Sequence, residues 1–148
     1  MEFGCCVWNT GYLGDLRLLE GVQRRWTKRI HGLENMSYLS RLKHLNLFSV
    51  KGRLLRADII KCWKIFHNKC TITPSEMFTL PSRSGTRGHK YKLAHRISHL
   101  ECRRRSFSVR VVNIWNALPN DVVQVESLSV FKSSLLVCLG DALFDFVD

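Results

Sequence analysis

The apolar positions in the first half of the chain repeat with helical spacing. Between Asp15 and His31 they recur at steps of three and four and form one stripe. This stripe consists of Leu16, Leu19, Val22, Trp26 and Ile30. The pattern predicts a helix with Asp15 as its N-cap and Gly32 at its end. A shorter helix is predicted from Ser37 and a longer one from about Val50 to His67, and three amphipathic helices with short links indicate a small helical bundle.

The spacing changes beyond residue 68. Residues 68–88 contain several Pro, Ser and Gly and predict a loop. Apolar and polar side chains then alternate from Lys90 to Ser98, and this period of two predicts a strand, as one half of a hairpin. Helical spacing returns at about Arg104 and stops at Pro119, and Ser127 is placed to cap a last helix.

Together these elements predict a mainly α protein in three segments. The helical bundle occupies residues 1–70, a basic linker of loop and strand occupies residues 71–103, and a C-terminal pair of helices occupies residues 104–148. The length of 148 residues suits one domain of ordinary size and is too short for a complete polymerase.

The positive charge is distributed unevenly along the chain. The 23 Lys and Arg outnumber the 12 Asp and Glu, which gives a formal net charge of +11. Residues 1–81 hold 13 basic and 6 acidic side chains (+7), residues 82–110 hold 9 and 1 (+8), and residues 111–148 hold 1 and 5 (−4). A surface that faces a polyanion is therefore expected before Val111.

The cysteines and the first residues bear on the cellular compartment. The six cysteines are scattered along the chain: Cys5, Cys6, Cys62, Cys70, Cys102 and Cys138. The first residues lack the basic and apolar regions of a secretory signal, and no apolar run is long enough to span a bilayer. We therefore expect reduced, mostly buried thiols in an intracellular protein of the nucleus or cytoplasm, which is neither secreted nor bound to a membrane.

Motifs for catalysis and for metal binding are weak. The sequence contains no Asp-Asp pair, no Walker loop and no nucleophile elbow, so we expect no catalytic residue and no cofactor. Two sets of side chains have spacings of interest for zinc: Cys62, His67 and Cys70, and then His95, His99 and Cys102. Neither set contains a C-x2-C pair, and Cys62 lies on an apolar stripe. A core cysteine with surface histidines is therefore the favoured interpretation, and no metal site is expected.

The basic side chains are better candidates for binding. Arg24 with Lys28, and Arg25 with Arg29, form pairs of like charge one helical turn apart, which cost a few tenths of a kcal/mol unless an anion is near. The predicted phosphate contacts are Arg24, Arg25, Lys28, Arg29, Lys90, Lys92, Arg96, Arg103, Arg104 and Arg105. Such contacts give affinity for a duplex with little base specificity. A solvated basic face without a partner explains the composition equally well.

The four tryptophans are expected in the core rather than as platforms on which bases stack. They are Trp8, Trp26, Trp63 and Trp115.

Short motifs along the chain form a recognisable order. The first are Glu2-Phe3, Val7-Trp8-Asn9, Leu19-Glu20 and Val22-Gln23-Arg24-Arg25. They continue with Tyr38, Arg41-Leu42, Leu45-Asn46-Leu47, Arg56, Asp58 and Lys64-Ile65. They end with Thr86-Arg87-Gly88-His89, Phe107, Arg110, Trp115-Asn116, Leu118-Pro119 and Phe131-Lys132. In this order and spacing the chain resembles the region after the palm in reverse transcriptases of non-LTR (LINE-type) retrotransposons. The chain departs from that family at Thr10, at Gly21 and in residues 136–148.

The resemblance implies a thumb-like helical bundle followed by the family's C-terminal region. In the family, the thumb grips the primer–template duplex and the palm holds the catalytic metals. This chain contains neither palm nor fingers, so the resemblance implies a non-catalytic remnant of an RNA-directed DNA polymerase that binds the backbone of RNA or DNA duplexes. Two alternatives stay open: a helical protein–protein module that uses the apolar, acidic C-terminal helix, and a decayed fragment without a selected role. The oligomeric state is open as well.

Overall fold

The structure is a computed structural model that describes residues 4–81 and 88–147. Several residues named above lie outside these ranges: Glu2, Phe3, Thr86, Arg87 and Asp148. The helices of the first half are α1 (Cys5–Trp8), α2 (Leu13–Lys28), α3 (Tyr38–His44), α4 (Val50–Phe66) and α5 (Pro74–Met77). Those of the second half are α6 (Glu101–Arg104), α7 (Phe107–Arg110), α8 (Val112–Ala117), α9 (Asn120–Val123), α10 (Leu128–Leu139) and a 3-10 turn (Gly140–Leu143). The predicted mainly α class is confirmed.

The central element is α4, whose predicted bounds are confirmed within one residue. Its N-cap Ser49 accepts a hydrogen bond from the amide of Gly52 at 2.9 Å. α4 packs against α1, α2, α8 and the 3-10 turn. Because it is covered on several sides, it buries apolar side chains around most of its circumference, as expected for a core helix. No helix in the described part of the chain combines the length and the apolar character that crossing a bilayer requires.

The main hydrophobic core joins α4 to the C-terminal half of the chain. Trp63 stacks on Phe131 of α10 with ring centroids 5.3 Å apart, and Phe66 stacks on Trp115 of α8 at 5.5 Å. Leu93 enters the same core. All three segments predicted from the sequence therefore contribute to one core.

The predicted strand over residues 90–98 is wrong. No strand occurs in the residues that the structure describes. The amide of Leu93 donates to the side-chain oxygen of Asn116 at 2.9 Å, and the Asn116 amide donates to the carbonyl of Leu93 at 2.8 Å. A side-chain amide offers the same donor and acceptor as a neighbouring strand, so this backbone is satisfied without a sheet. The alternating pattern would also place Ile97 on a buried face, but its side chain is 88% exposed.

The last residues fold back over the start of α4. Leu143 is buried, and its carbonyl accepts hydrogen bonds from the amide and the hydroxyl of Ser49 at 3.0 and 3.1 Å. A Cβ at Gly52 would lie 2.1 Å from that carbonyl oxygen, so the approach requires glycine at this position. The tail, which departs from the family resemblance, is thus an integral part of this fold.

We predict that Asn116→Leu lowers the free energy of unfolding by about 1–3 kcal/mol, because the Leu93 amide and carbonyl lose their partners. Urea denaturation followed by circular dichroism measures this. The matched control is Asn113→Leu, an exposed position on the same helix that should change stability by less than about 0.5 kcal/mol. Equal losses in the two variants would contradict the role of Asn116.

We also predict that His89 makes the fold sensitive to acid. Its imidazole is buried and hydrogen-bonded to the carbonyl of Trp115 at 3.0 Å. Burial, and in addition the charge of Lys92, lower the pKa of His89 below its ordinary value of 6.5. Only the unfolded chain then binds a proton as the pH first falls through about 6.5, so stability present at pH 7 is lost below that value.

Urea denaturation at neutral pH and at about pH 5.5 tests this prediction. His89→Gln keeps a donor for the Trp115 carbonyl and should flatten the difference in free energy between the two pH values. His95→Gln, at an exposed position, should leave that difference unchanged. An unaltered pH dependence in His89→Gln would refute the assignment.

Candidate nucleic-acid interface

The orientation of α2 is determined by polar contacts. The buried carboxylate of Glu20 accepts a hydrogen bond from the amide of Val50 at 2.8 Å and another from the hydroxyl of Tyr38. A carboxylate is stabilised there because Val50 is the first residue of α4 and the N-terminus of a helix is electropositive. Burial and the Glu20 carboxylate raise the pKa of Tyr38, so its hydroxyl stays protonated and donates. Arg41 donates to the buried Thr27 at 3.3 Å.

The predicted apolar stripe of α2 is only partly buried. Leu16 is buried, whereas Val22 is 53% and Trp26 is 61% exposed. The helix begins at Leu13 rather than after Asp15, and it ends at Lys28. The hydrogen bonds of Glu20 and Thr27 rotate the polar side of α2 towards α3 and α4. Val22 and Trp26 therefore face solvent, whereas Leu16 stays buried. The expectation that every tryptophan is in the core is wrong for Trp26 and for Trp8, which is 40% exposed, and it is confirmed for the fully buried Trp63 and Trp115.

The predicted cations of α2 divide into two groups. Arg25, Lys28 and Arg29 are exposed at the C-terminal end of the helix and form no ion pair with any described residue; we call them the α2 cations. Their charge is favourable next to the negative end of the helix dipole. Arg24 differs, because its guanidinium lies 4.9 Å from the ring centroid of Tyr38 and 5.3 Å from that of Phe146. It holds the C-terminal tail instead of facing solvent.

Two of the predicted downstream cations have structural roles. Arg104 pairs with Glu101 at 2.6 Å, and Arg105 pairs with the same carboxylate at 2.7 Å. Arg105 also donates to the carbonyl of Gly11 at 2.7 Å and lies 4.4 Å from the ring centroid of Tyr12. It thereby attaches α6 to the N-terminal end of α2.

The other downstream cations differ in exposure. Arg96 and Arg103 are exposed, line the same shallow cleft and form no ion pair in the described ranges; we call them the cleft cations. Lys90 is exposed over the ring of Tyr91 at 4.9 Å. Lys92 is half-buried, and its side chain runs against Gly88. Of the described cations in the basic stretch predicted between residues 82 and 110, the cleft cations are thus exposed and free of ion pairs.

The two groups of accessible cations lie towards opposite ends of α2. Arg105 fixes the end of α6 beside Tyr12, whereas the α2 cations occupy the last turn of the helix. From Tyr12 to Lys28 the helix rises about 24 Å, at 1.5 Å per residue. A duplex of about seven base pairs has this length along its axis. The ten predicted contacts are therefore not one continuous patch.

A buried ion pair connects α4 to α7. Asp58 accepts two hydrogen bonds from Arg110, at 2.7 and 3.0 Å, and both side chains are largely buried. The same guanidinium donates to the carbonyl of Asn9 at 2.6 Å and to that of Arg105 at 2.8 Å. Asp58 and Arg110 stand among the residues of the family resemblance, but sequence reasoning assigned them no contact because they are 52 positions apart.

Within the described residues, side chains suited to a metal meet at one place. The ligand atoms of Cys5, Cys6 and Asp58 lie within 4.8 Å of one another. Burial, and then the Asp58 charge, raise the pKa of Cys6 to about 12, so this thiol is protonated at neutral pH. Arg110 already donates two hydrogen bonds to the Asp58 carboxylate. We therefore interpret the cluster as a hydrogen-bonded part of the packed interior. Neither of the two Cys and His sets with spacings of interest for zinc is brought together; His67 instead stacks on Trp63 of the core.

We predict that Arg110→Met lowers the free energy of unfolding by about 3–5 kcal/mol, because the Asp58 carboxylate stays buried without a partner. The double variant Asp58→Leu/Arg110→Met removes both charges and should recover part of that loss. Lys51→Met, which breaks an exposed pair with Asp145, should cost less than about 1 kcal/mol. Denaturant unfolding measures all three, and a double variant no more stable than Arg110→Met would contradict the prediction.

Comparison of the chain with protein-family models, with curated proteins and with solved structures found no match.

Proposed function

We propose that the chain is a non-catalytic remnant of a LINE-type reverse transcriptase, comprising its thumb and C-terminal region, and that it binds nucleic-acid duplexes in the nucleus or cytoplasm. The observation that carries this proposal is the group of α2 cations. Three exposed positive charges within one helical turn repel each other, and no described carboxylate compensates them. Backbone phosphates remove this repulsion, and the released counterions make binding favourable.

The mode of binding follows from the side chains around these cations. Between the α2 cations and the N-terminal end of the helix, Leu18 and Val22 are exposed and have no groups to hydrogen-bond base edges, and the exposed Arg17 adds a further cation. We expect these cations to contact phosphates, which holds the protein on the duplex without selecting a sequence. The cleft cations add a second point of contact towards the other end of α2.

The proposal includes no polymerase activity. Nucleotide transfer needs carboxylates that hold two divalent ions about 4 Å apart. The sequence has no Asp-Asp pair, and the described Asp58 is engaged by Arg110. In the resembled family these aspartates belong to the palm, a part that this chain does not contain.

We predict that Lys28→Gln/Arg29→Gln weakens duplex binding and makes it less sensitive to salt. The readout is the fluorescence anisotropy of a short labelled RNA–DNA hybrid, titrated between about 50 and 200 mM salt. Removing two phosphate contacts should reduce the slope of log K against log salt by about 1.8. Duplexes of unrelated sequence should bind the unmodified protein equally well.

The matched control removes the same charge elsewhere. Lys69→Gln/Arg104→Gln changes an exposed lysine outside the predicted set and an arginine paired with Glu101. We expect its slope to stay close to that of the unmodified protein. Undetectable binding at low salt, or equal slopes in the two double variants, would refute the proposal.

A second candidate function is a helical protein–protein module. The observation in its favour is the exposure of Leu18, Val22 and Trp26 along the free side of α2. The C-terminal segment, the contact surface expected from the sequence, is partly used within the chain, because Phe144 and Phe146 pack on aromatic rings of the bundle. A complex that persists at high salt in sedimentation analysis would favour this module over phosphate binding.

A further inference from the structure

A groove between α1, α4 and α7 has a shape and a lining that neither duplex binding nor the core explains. Its volume is about 800 Å³, within the range of small-molecule sites. Its walls are mostly apolar and include Ile60, Ile72, Met77 and Phe107. A groove of this size with such walls suits a hydrocarbon.

The charged residues that line the groove are all basic, and we call them its rim. Arg56, Lys61 and Lys64 come from successive turns of α4, and Lys132 comes from α10. None of the described residues that line the groove is acidic. Cations held beside an apolar wall attract a ligand that is negatively charged at one end, and the low dielectric of the wall strengthens that attraction.

We propose that this groove binds a long-chain carboxylate, a free fatty acid, with its hydrocarbon along the apolar wall and its carboxylate at the basic rim. The charge of the rim selects an anion, and the wall selects its alkyl chain. None of the α2 cations or the cleft cations lines the groove, so the proposal does not depend on duplex binding.

Isothermal titration with sodium dodecanoate, kept below its micelle concentration, tests the site. We expect saturable binding with one carboxylate per chain, and at least tenfold weaker binding of octanoate, because each buried methylene contributes about fourfold to affinity. Dodecyltrimethylammonium has the same chain and the opposite charge and should bind at least tenfold more weakly. Equal affinity for the two head groups, or an absence of saturable binding, would overturn the proposal.

Two variants locate the site. Lys64→Gln/Lys132→Gln removes two half-buried rim charges and should weaken dodecanoate binding at least tenfold. Lys28→Gln/Arg29→Gln removes the same charge from the α2 cations and should leave dodecanoate binding unchanged while it weakens duplex binding. Thermal unfolding verifies that both variants are folded. Equal effects of the two variants on dodecanoate, or full displacement of dodecanoate by a duplex, would overturn the assignment.

Discussion

The buried pair of Asp58 and Arg110 is the contact on which the groove and the position of the cleft cations depend. The guanidinium of Arg110 donates hydrogen bonds to the carboxylate of Asp58 on α4 and to the carbonyls of Asn9 and Arg105. It thereby fixes α1 and the end of α6 against α4. The groove is formed by α1, α4 and α7, and the cleft cations are placed by α6, so each surface derives part of its geometry from this interaction. A charge buried in such a place is tolerated because the opposite charge of Asp58 and two carbonyls accept hydrogen bonds from it.

A second buried carboxylate determines what α2 presents to solvent. Glu20 caps the N-terminus of α4 and binds the hydroxyl of Tyr38, which orients α2 by polar contacts rather than by its apolar stripe. Hydrophobic burial is non-directional, whereas these hydrogen bonds allow one rotation of the helix. The exposure of Trp26 and the accessibility of the α2 cations are two consequences of the same rotation.

Local patterns in the sequence were sufficient to predict the elements that are stabilised locally. The bounds of α4 and the start of α3 follow from apolar spacing and from N-capping serines, and Ser37 does accept the amide of Ser40 at 3.1 Å. The predicted strand over residues 90–98 does not form, because the side chain of Asn116, 23 positions away, makes the hydrogen bonds with Leu93 that a neighbouring strand would make. The groove and the pairing of Asp58 with Arg110 were missed for the same reason, since both depend on contacts between residues far apart in sequence.

The acidic C-terminal tail contacts several basic side chains of the bundle. Fewer cations are therefore available to a partner than the net charge suggests. Asp145 pairs with Lys51, the ring of Phe146 lies under Arg24, and the ring of Phe144 lies under Lys43 at 5.7 Å. A negatively charged segment folded onto the bundle thus engages cations that the sequence alone left available for a partner. Among the described residues, the α2 cations, the cleft cations and the rim of the groove are the groups of cations to which we assign a partner. Because no residue belongs to two of these groups, loss of one should leave the others able to bind, which distinguishes specific sites from a uniformly basic protein.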